Sequence, residues 1–298
     1  MTFAMSVHQP PKSGARLGAF GERALAQFAR AYPSASAGFA HELAGHPLLG
    51  LEALADAAAR MDPRHVEVRA ADNRNGEEFA FAAPEGAGAP DTIRAIGKAG
   101  RWVMLRFVEQ LPEFEALLSD TLGEITPVIR AITGKPERLQ GFIFISSPGT
   151  LTPFHFDPEF NILMQVSGRK YFTVYPPEAP WLTDEKQERF HRDGDNLLPW
   201  RTGDELAGWD NVLDPGDALY VPFKCPHWVR VGDQPSISLS LTWCSPASQA
   251  QNDAWRFNGW LRTRGIGAAP PAMGAPLTRA KALGWRALRR AGLAGTDI

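Results

Sequence analysis

Gly149-Thr-Leu-Thr152-Pro-Phe-His155-Phe-Asp157-Pro-Glu-Phe-Asn161-Ile-Leu-Met-Gln-Val-Ser-Gly168-Arg-Lys170-Tyr-Phe-Thr-Val-Tyr-Pro-Pro177 holds the residues on which the reading of this chain turns. On a β-strand, side chains two positions apart point to the same face. His155 and Asp157 are therefore expected to project together, with Phe156 turned away into packing. Asn161–Val166 and Lys170–Tyr175 read as two strands of a hairpin that turns near Ser167-Gly168. Lys170, Phe172 and Val174 then share one face, which sets an ammonium among apolar neighbours. Burying such a group is costly unless it is paired. Either a bound anion neutralises Lys170, or it lies at a strand end and snorkels to water.

A partner for His155 and Asp157 has to come from a distant strand. His227 follows Asp214-Pro-Gly-Asp-Ala-Leu-Tyr-Val-Pro222, a turn and then a strand, as a returning barrel strand would. Two imidazoles and one carboxylate with open positions form the facial triad of non-haem iron(II) oxygenases, in which a co-substrate and oxygen must both reach the metal. A His-x-Asp pair alone is common by chance. His8, His41, His46 and His65 read as structural histidines; His191 is held open because it falls beside the expected barrel mouth.

Around this centre, residues 139–245 consist of short alternating runs punctuated by Pro and Gly: Gly141–Ile145, Asn161–Val166, Lys170–Tyr175, Ala218–Val221 and Ser236–Trp243. Many short strands separated by turn residues indicate an antiparallel barrel or sandwich. The charged, aromatic stretch 179–211 reads as a surface insertion, either part of a lid or an ordinary solvated loop. Residues 1–18 read as a flexible arm, and 19–138 as a helix-and-strand region packing on the core. Within the latter, helices are expected over Glu22–Arg30, after Pro47, and over Leu111–Ile132, with Pro127 as a potential interruption. Strands are expected at Val66–Arg69, Phe79–Ala82 and Trp102–Val108, and a Pro/Gly/Ala loop at Ala83–Ala89. Residues 246–298 form a helical segment, with helices near 249–263 and 277–291.

The formal net charge is −2 over 298 residues, which gives no support to nucleic-acid binding, and none is expected. Two cysteines, Cys225 and Cys244, are too few for a disulfide scaffold; they read as reduced thiols, with one disulfide between them as the alternative. The first residues carry no apolar signal-peptide region, and no run approaches the length of a membrane span. The expectation is a cytoplasmic protein without membrane contact.

These motifs resemble the JmjC-type, cupin-fold 2-oxoglutarate oxygenases, especially the protein-hydroxylase branch that includes the asparaginyl hydroxylase inhibiting hypoxia-inducible factor. The likeness covers about 139–245. It implies a mainly β fold: a double-stranded β-helix (jelly-roll) core with flanking N-terminal and C-terminal helices. His155, Asp157 and His227 match the iron ligands. Lys170 and Thr152 match the groups holding the distal carboxylate of 2-oxoglutarate, and Asn161 a polar residue beside co-substrate and metal. The implied cofactors are iron(II) and 2-oxoglutarate, and the implied activity is hydroxylation of a protein side chain. A small-molecule oxygenase and a non-catalytic cupin-fold binding protein are the alternatives. A homodimer through the C-terminal helices is a further expectation. One departure stands out. Some members carry an asparagine two residues before the tryptophan matching Trp243, where this chain has Leu241 between Ser240 and Thr242.

Overall fold

A computed structural model describes residues 18–71, 74–77 and 88–293. Residues 1–17 of the expected arm 1–18, and the expected strand Phe79–Ala82, lie outside the described residues. Eleven strands are described: β1 (Ala37–Ala40), β2 (Val66–Ala70), β3 (Arg101–Arg106), β4 (Glu137–Ser146), β5 (Leu151–His155), β6 (Phe160–Ser167), β7 (Lys170–Val174), β8 (Trp209–Leu213), β9 (Asp217–Val221), β10 (His227–Val231) and β11 (Ser236–Cys244). The helices are α1 (Glu22–Ala31), α2 (Leu51–Arg60), α3 (Ala89–Arg94), α4 (Pro112–Ile132), α5 (Asp184–Asp193), α6 (Pro246–Arg262) and α7 (Pro276–Arg290).

All strand pairings are antiparallel, in a major sheet ordered β1-β9-β6-β11-β4-β3-β2 and a minor sheet ordered β5-β10-β7-β8. The two sheets enclose a small core that includes Leu163 and Leu219 from one and Phe172, Val174 and Val229 from the other. This is the jelly-roll arrangement of the expected double-stranded β-helix. The outer face of the major sheet packs on Phe28, Leu54, Phe114, Leu118 and Ile125 of α1, α2 and α4. β11 shows how sequence sets the layers. In Ser-Ile-Ser-Leu-Ser-Leu-Thr-Trp, the residues Ile237, Leu239, Leu241 and Trp243 join the outer helix-covered core, which leaves Ser238, Ser240 and Thr242 facing the barrel interior.

Several boundaries differ from the sequence reading. β1, β2 and β3 are members of the major sheet, so the region 19–138 is continuous with the barrel wall as well as packed on it. β3 ends at Arg106 because Phe107 takes a left-handed conformation, φ 57°. Pro47 opens a short 3-10 turn that ends before α2 starts at Leu51. Pro127 sits inside α4 without ending it, because Ile125 and Ile129 on either side are fully buried and hold the helix to the sheet. The insertion 179–211 is folded. It contains α5, whose Thr183 hydroxyl accepts from the Lys186 N–H, and its last three residues belong to β8. β8 hides from a pattern search because it is an edge strand with Trp209 61% and Val212 52% exposed. Both cysteines are buried free thiols. Among the described residues no helix is long and apolar enough to cross a membrane.

Gly168 closes the β6–β7 hairpin at φ +68°, and a Cβ there would sit 2.2 Å from the Pro235 carbonyl oxygen. Gly168→Ala is expected to lower stability by roughly 2–4 kcal/mol, since left-handed backbone and a clash with main chain add. A urea titration checks this; an unchanged midpoint would show that the hairpin relaxes freely.

Candidate metal centre

The minor sheet arranges its inward side chains in rows. Opposed residues in an antiparallel pair lie on the same face. One row is Lys170 with Val231; the next is Phe172, Val229 and Thr152; the last is Val174, His227 and His155. The two histidines therefore meet directly, with ring centroids 4.3 Å apart, at the end of the barrel where β5 stops. Phe172 stacks on the His227 ring at 5.0 Å.

Asp157 arrives by a different route from the expected one. β5 ends at His155, so Asp157 does not owe its direction to strand periodicity. Three hydrogen bonds steer the chain beyond the strand. The Phe156 N–H donates to the Asn196 carbonyl at 3.2 Å. The Asn196 side-chain amide donates to the Phe156 carbonyl at 3.0 Å. The Lys224 N–H donates to the Asp157 carbonyl at 3.1 Å. Phe156 does turn into packing, against Phe190 of α5. The Asp157 carboxylate then lies 3.6 Å from His227 Nε2 and 3.9 Å from His155 Nε2. Among the described residues, these three are the one group of potential ligands whose donor atoms all fall within 4.8 Å of one another.

The donor set fits a divalent metal. His155 Nδ1 donates to the Pro153 carbonyl at 2.7 Å, and His227 Nδ1 to the Cys225 carbonyl at 3.0 Å. A carbonyl can only accept, so each ring keeps its proton on Nδ1 and presents an Nε2 lone pair, the arrangement that fixes ligand tautomers in metal sites. Burial, and then the neighbouring His155, push His227 down to about 4, so its imidazole is neutral near pH 7. Two imidazole nitrogens and one carboxylate suit iron(II) with open positions.

The rest of the anticipated site lies inside the same barrel. Lys170 is only 3% exposed. Its ammonium donates to the Ser238 hydroxyl across the gap between the two sheets and lies 5.3 Å from the centre of the Phe144 ring. Among the described residues no carboxylate pairs with it, and burial pushes it down to about 7. Thr152 stands in the row between Lys170 and the histidines. Asn161 is buried in the major sheet, and its Oδ1 accepts from the Ser240 hydroxyl at 3.0 Å. Ser238 and Ser240 were not singled out from sequence; the alternation of hydroxyl and apolar residues along β11 was the available signal. Leu241 faces the outer core, so that departure leaves the barrel lining untouched.

His191 is not a fourth ligand of this group. Its Nε2 accepts from the buried Lys224 ammonium at 3.1 Å, which ties α5 to the loop before His227. Trp181 and Trp200 of the insertion pack on Phe154 and Tyr175. Residues Asn196–Leu198 run along β5, with Leu198 N–H bonded to the Phe154 carbonyl at 2.9 Å and a bridge between His155 and Leu197.

A two-sheet jelly roll with a His/Asp/His cluster inside one end defines a cupin-type barrel built around a potential metal centre. The chain belongs to the cupin-like domain family, whose sequence profile matches residues 64–248. The matched span starts at the approach to β2, well before residue 139. Lysine-specific demethylase JMJ30 of Arabidopsis thaliana is 33% identical over 114 residues, 35% of this chain and 26% of that protein. The tRNA wybutosine-synthesizing protein 5 of Danio rerio is 34% identical over 92 residues, 30% of this chain and 28% of that protein. The matches thus span only about a quarter of these curated relatives. Among solved structures, Escherichia coli ycfD aligns with a TM-score of 0.50 at 17% identity, covering 88% of this chain and 66% of that one, a likeness of fold.

Replacing Asp157 by Ala is expected to weaken anaerobic iron(II) binding by at least roughly a hundredfold while the circular dichroism spectrum holds. Calorimetry on wild type and variant decides it; equal affinities would remove Asp157 from the ligand set.

Proposed function

We propose that this chain is an iron(II)- and 2-oxoglutarate-dependent oxygenase that hydroxylates a protein side chain. The observation that carries the reading is Lys170, an ammonium buried in the same barrel as the His/Asp/His cluster and lacking a carboxylate partner among the described residues. A dicarboxylic acid lying between the two satisfies both, with one end at the metal and the other on Lys170 through a charge-assisted hydrogen bond.

With both bound, iron(II) and 2-oxoglutarate supply the oxidising chemistry, in which oxidative decarboxylation to succinate and carbon dioxide accompanies transfer of an oxygen atom to a substrate C–H bond. The chain's own residues do the positioning. His155, Asp157 and His227 would hold the metal. Lys170 anchors the far carboxylate, with Ser238 orienting its ammonium and Thr152 offering a hydroxyl one row nearer the metal. Asn161, fixed by Ser240, presents an amide to the same interior. Phe172 and Phe144 line this space with aromatic surface and limit water beside the anion. Substrate enters from the mouth, where a cleft of about 1170 Å³ reaches Pro158 and Glu159 beside Asp157. An open cleft of that size supports a macromolecular substrate over a small one. The relatives' names divide between protein lysines and tRNA, so the choice of a protein rests on this chain's own surface.

Lys170 gives the reading a proton signature. With its pKa lowered to about 7, free protein holds Lys170 mostly neutral at about pH 8.5, whereas the unfolded chain keeps it charged; stability therefore rises with pH between about 7 and 10.5. A bound carboxylate draws the proton back. 2-Oxoglutarate binding is expected to take up close to one proton at about pH 8.5 and far less at about pH 6. Calorimetry in buffers of different ionisation heat measures the uptake, and Lys170→Met should abolish it. Turnover is tested by succinate release with iron(II) in air, followed by mass spectrometry of candidate protein substrates for a 16 Da gain, the mass of one oxygen atom. Iron(II) binding without 2-oxoglutarate binding would defeat the oxygenase reading.

A further inference from the structure

The cleft at the barrel mouth has an uneven charge. From Pro246 to Leu293 the chain carries eight basic residues, at 256, 262, 264, 279, 281, 286, 289 and 290, against the single acid Asp253, in a protein whose overall charge is −2. The helices α6 and α7 built from this stretch form one wall of the cleft. Arg256, Arg279, Arg286 and Arg289 line it from that side and Arg138 of β4 from the other. Asp253 is divided between two guanidiniums, accepting from Arg256 at 3.2 Å and from Arg286 at 2.7 Å. Glu137 is taken by the Gln249 amide. Arg138 and Arg279 form no ion pair among the described residues.

We propose that this cleft binds an acidic peptide segment and feeds its target side chain to the metal centre; the proposal rests on the oxygenase reading above. Charge alone would suit any polyanion. The remaining lining decides between them. It mixes polar side chains such as Gln249, Asn252 and Thr278 with small and aliphatic ones, among them Ala247, Ala250, Ala282 and Leu283, the last 65% exposed on α7. Its two aromatic rings, Phe190 and His191, pack edge-on against one another, and Phe190 also against Phe156. Single-stranded nucleic acids depend on free aromatic faces for stacking, and here the two rings are few and largely engaged with each other and with Phe156. A peptide alternating carboxylates with short apolar residues matches both kinds of wall, and complementary charge speeds its capture. Glu159 lies at the floor beside Asp157 without a hydrogen-bonding partner among the described residues.

The test uses the full chain loaded anaerobically with iron(II) and a fluorescein-labelled peptide of repeating Glu-Leu-Ala-Glu, read by anisotropy. Saturable binding is expected, weakened roughly tenfold by Arg279→Glu and by Arg138→Glu and falling with added salt, with no binding of the Lys-Leu-Ala-Lys counterpart. Equal affinity for wild type and both variants, or no saturable binding, overturns the proposal. So does a single-stranded RNA of matched charge that binds more tightly and displaces the peptide. A dimer seen by light scattering and dissociated by Arg279→Glu would instead assign the cleft to a second copy of the chain. Iron(II) and 2-oxoglutarate affinities are measured in the same samples. Their loss strikes the oxygenase reading, while their retention without peptide binding strikes the cleft alone.

Discussion

Lys170 sets an amine deep inside the barrel, only 3% exposed. An ammonium in such a setting needs hydrogen bonds and a counter-charge, and the barrel offers a hydroxyl from the opposite sheet and an aromatic face but no carboxylate among the described residues. Much of the interior can be understood from that imbalance. The facing strand β11 carries serines and a threonine where a dry sandwich core would carry branched aliphatics. The apolar contacts that hold the sheets together are concentrated on Leu163, Phe172, Val174, Leu219 and Val229. Stability comes chiefly from the other side of the major sheet, where α1, α2 and α4 bury a far larger apolar surface. One face of the major sheet is thus apolar and covered by helices, and the other carries hydroxyls toward the minor sheet, which bears Lys170 and the two histidines.

The period of two along the strands made most of this readable in advance. His155 and His227 could be set at one end of a barrel, and Lys170 on the same face as Phe172 and Val174, because side-chain direction on a strand follows from position alone. Asp157 was found for an incomplete reason. It lies two residues past the end of β5, and what aims it is the hold of Asn196 on Phe156, 40 positions away, and of Lys224 on its own carbonyl, 67 positions away. No local pattern encodes contacts of that range. Ser238 and Ser240 stayed hidden because a serine in a strand carries no signature of whether it faces a ligand or water. β8 was absorbed into the insertion because an edge strand exposed to solvent has the composition of a loop.

The insertion changes in meaning once its contacts are known. Read from sequence it was a lid or a solvated loop. In the fold its residues 196–198 run beside β5, its helix packs on Phe156, and its His191 receives the Lys224 ammonium. Lys224 in turn precedes by one residue the carbonyl that orients His227. Two of the three metal-facing side chains are therefore reached through the same segment from opposite directions.

Because the backbone just before Asp157 is tied to the insertion through Phe156 and Asn196, the lifetime of a bound ion would depend in part on a segment that can open while the barrel stays folded. Local fraying around Asn196 would loosen one of the two tethers on that stretch, the Lys224 bond to the Asp157 carbonyl being the other, while the two histidines stay in register on β5 and β10. Exchange of an ion held there would then follow the breathing of a surface segment more than global unfolding.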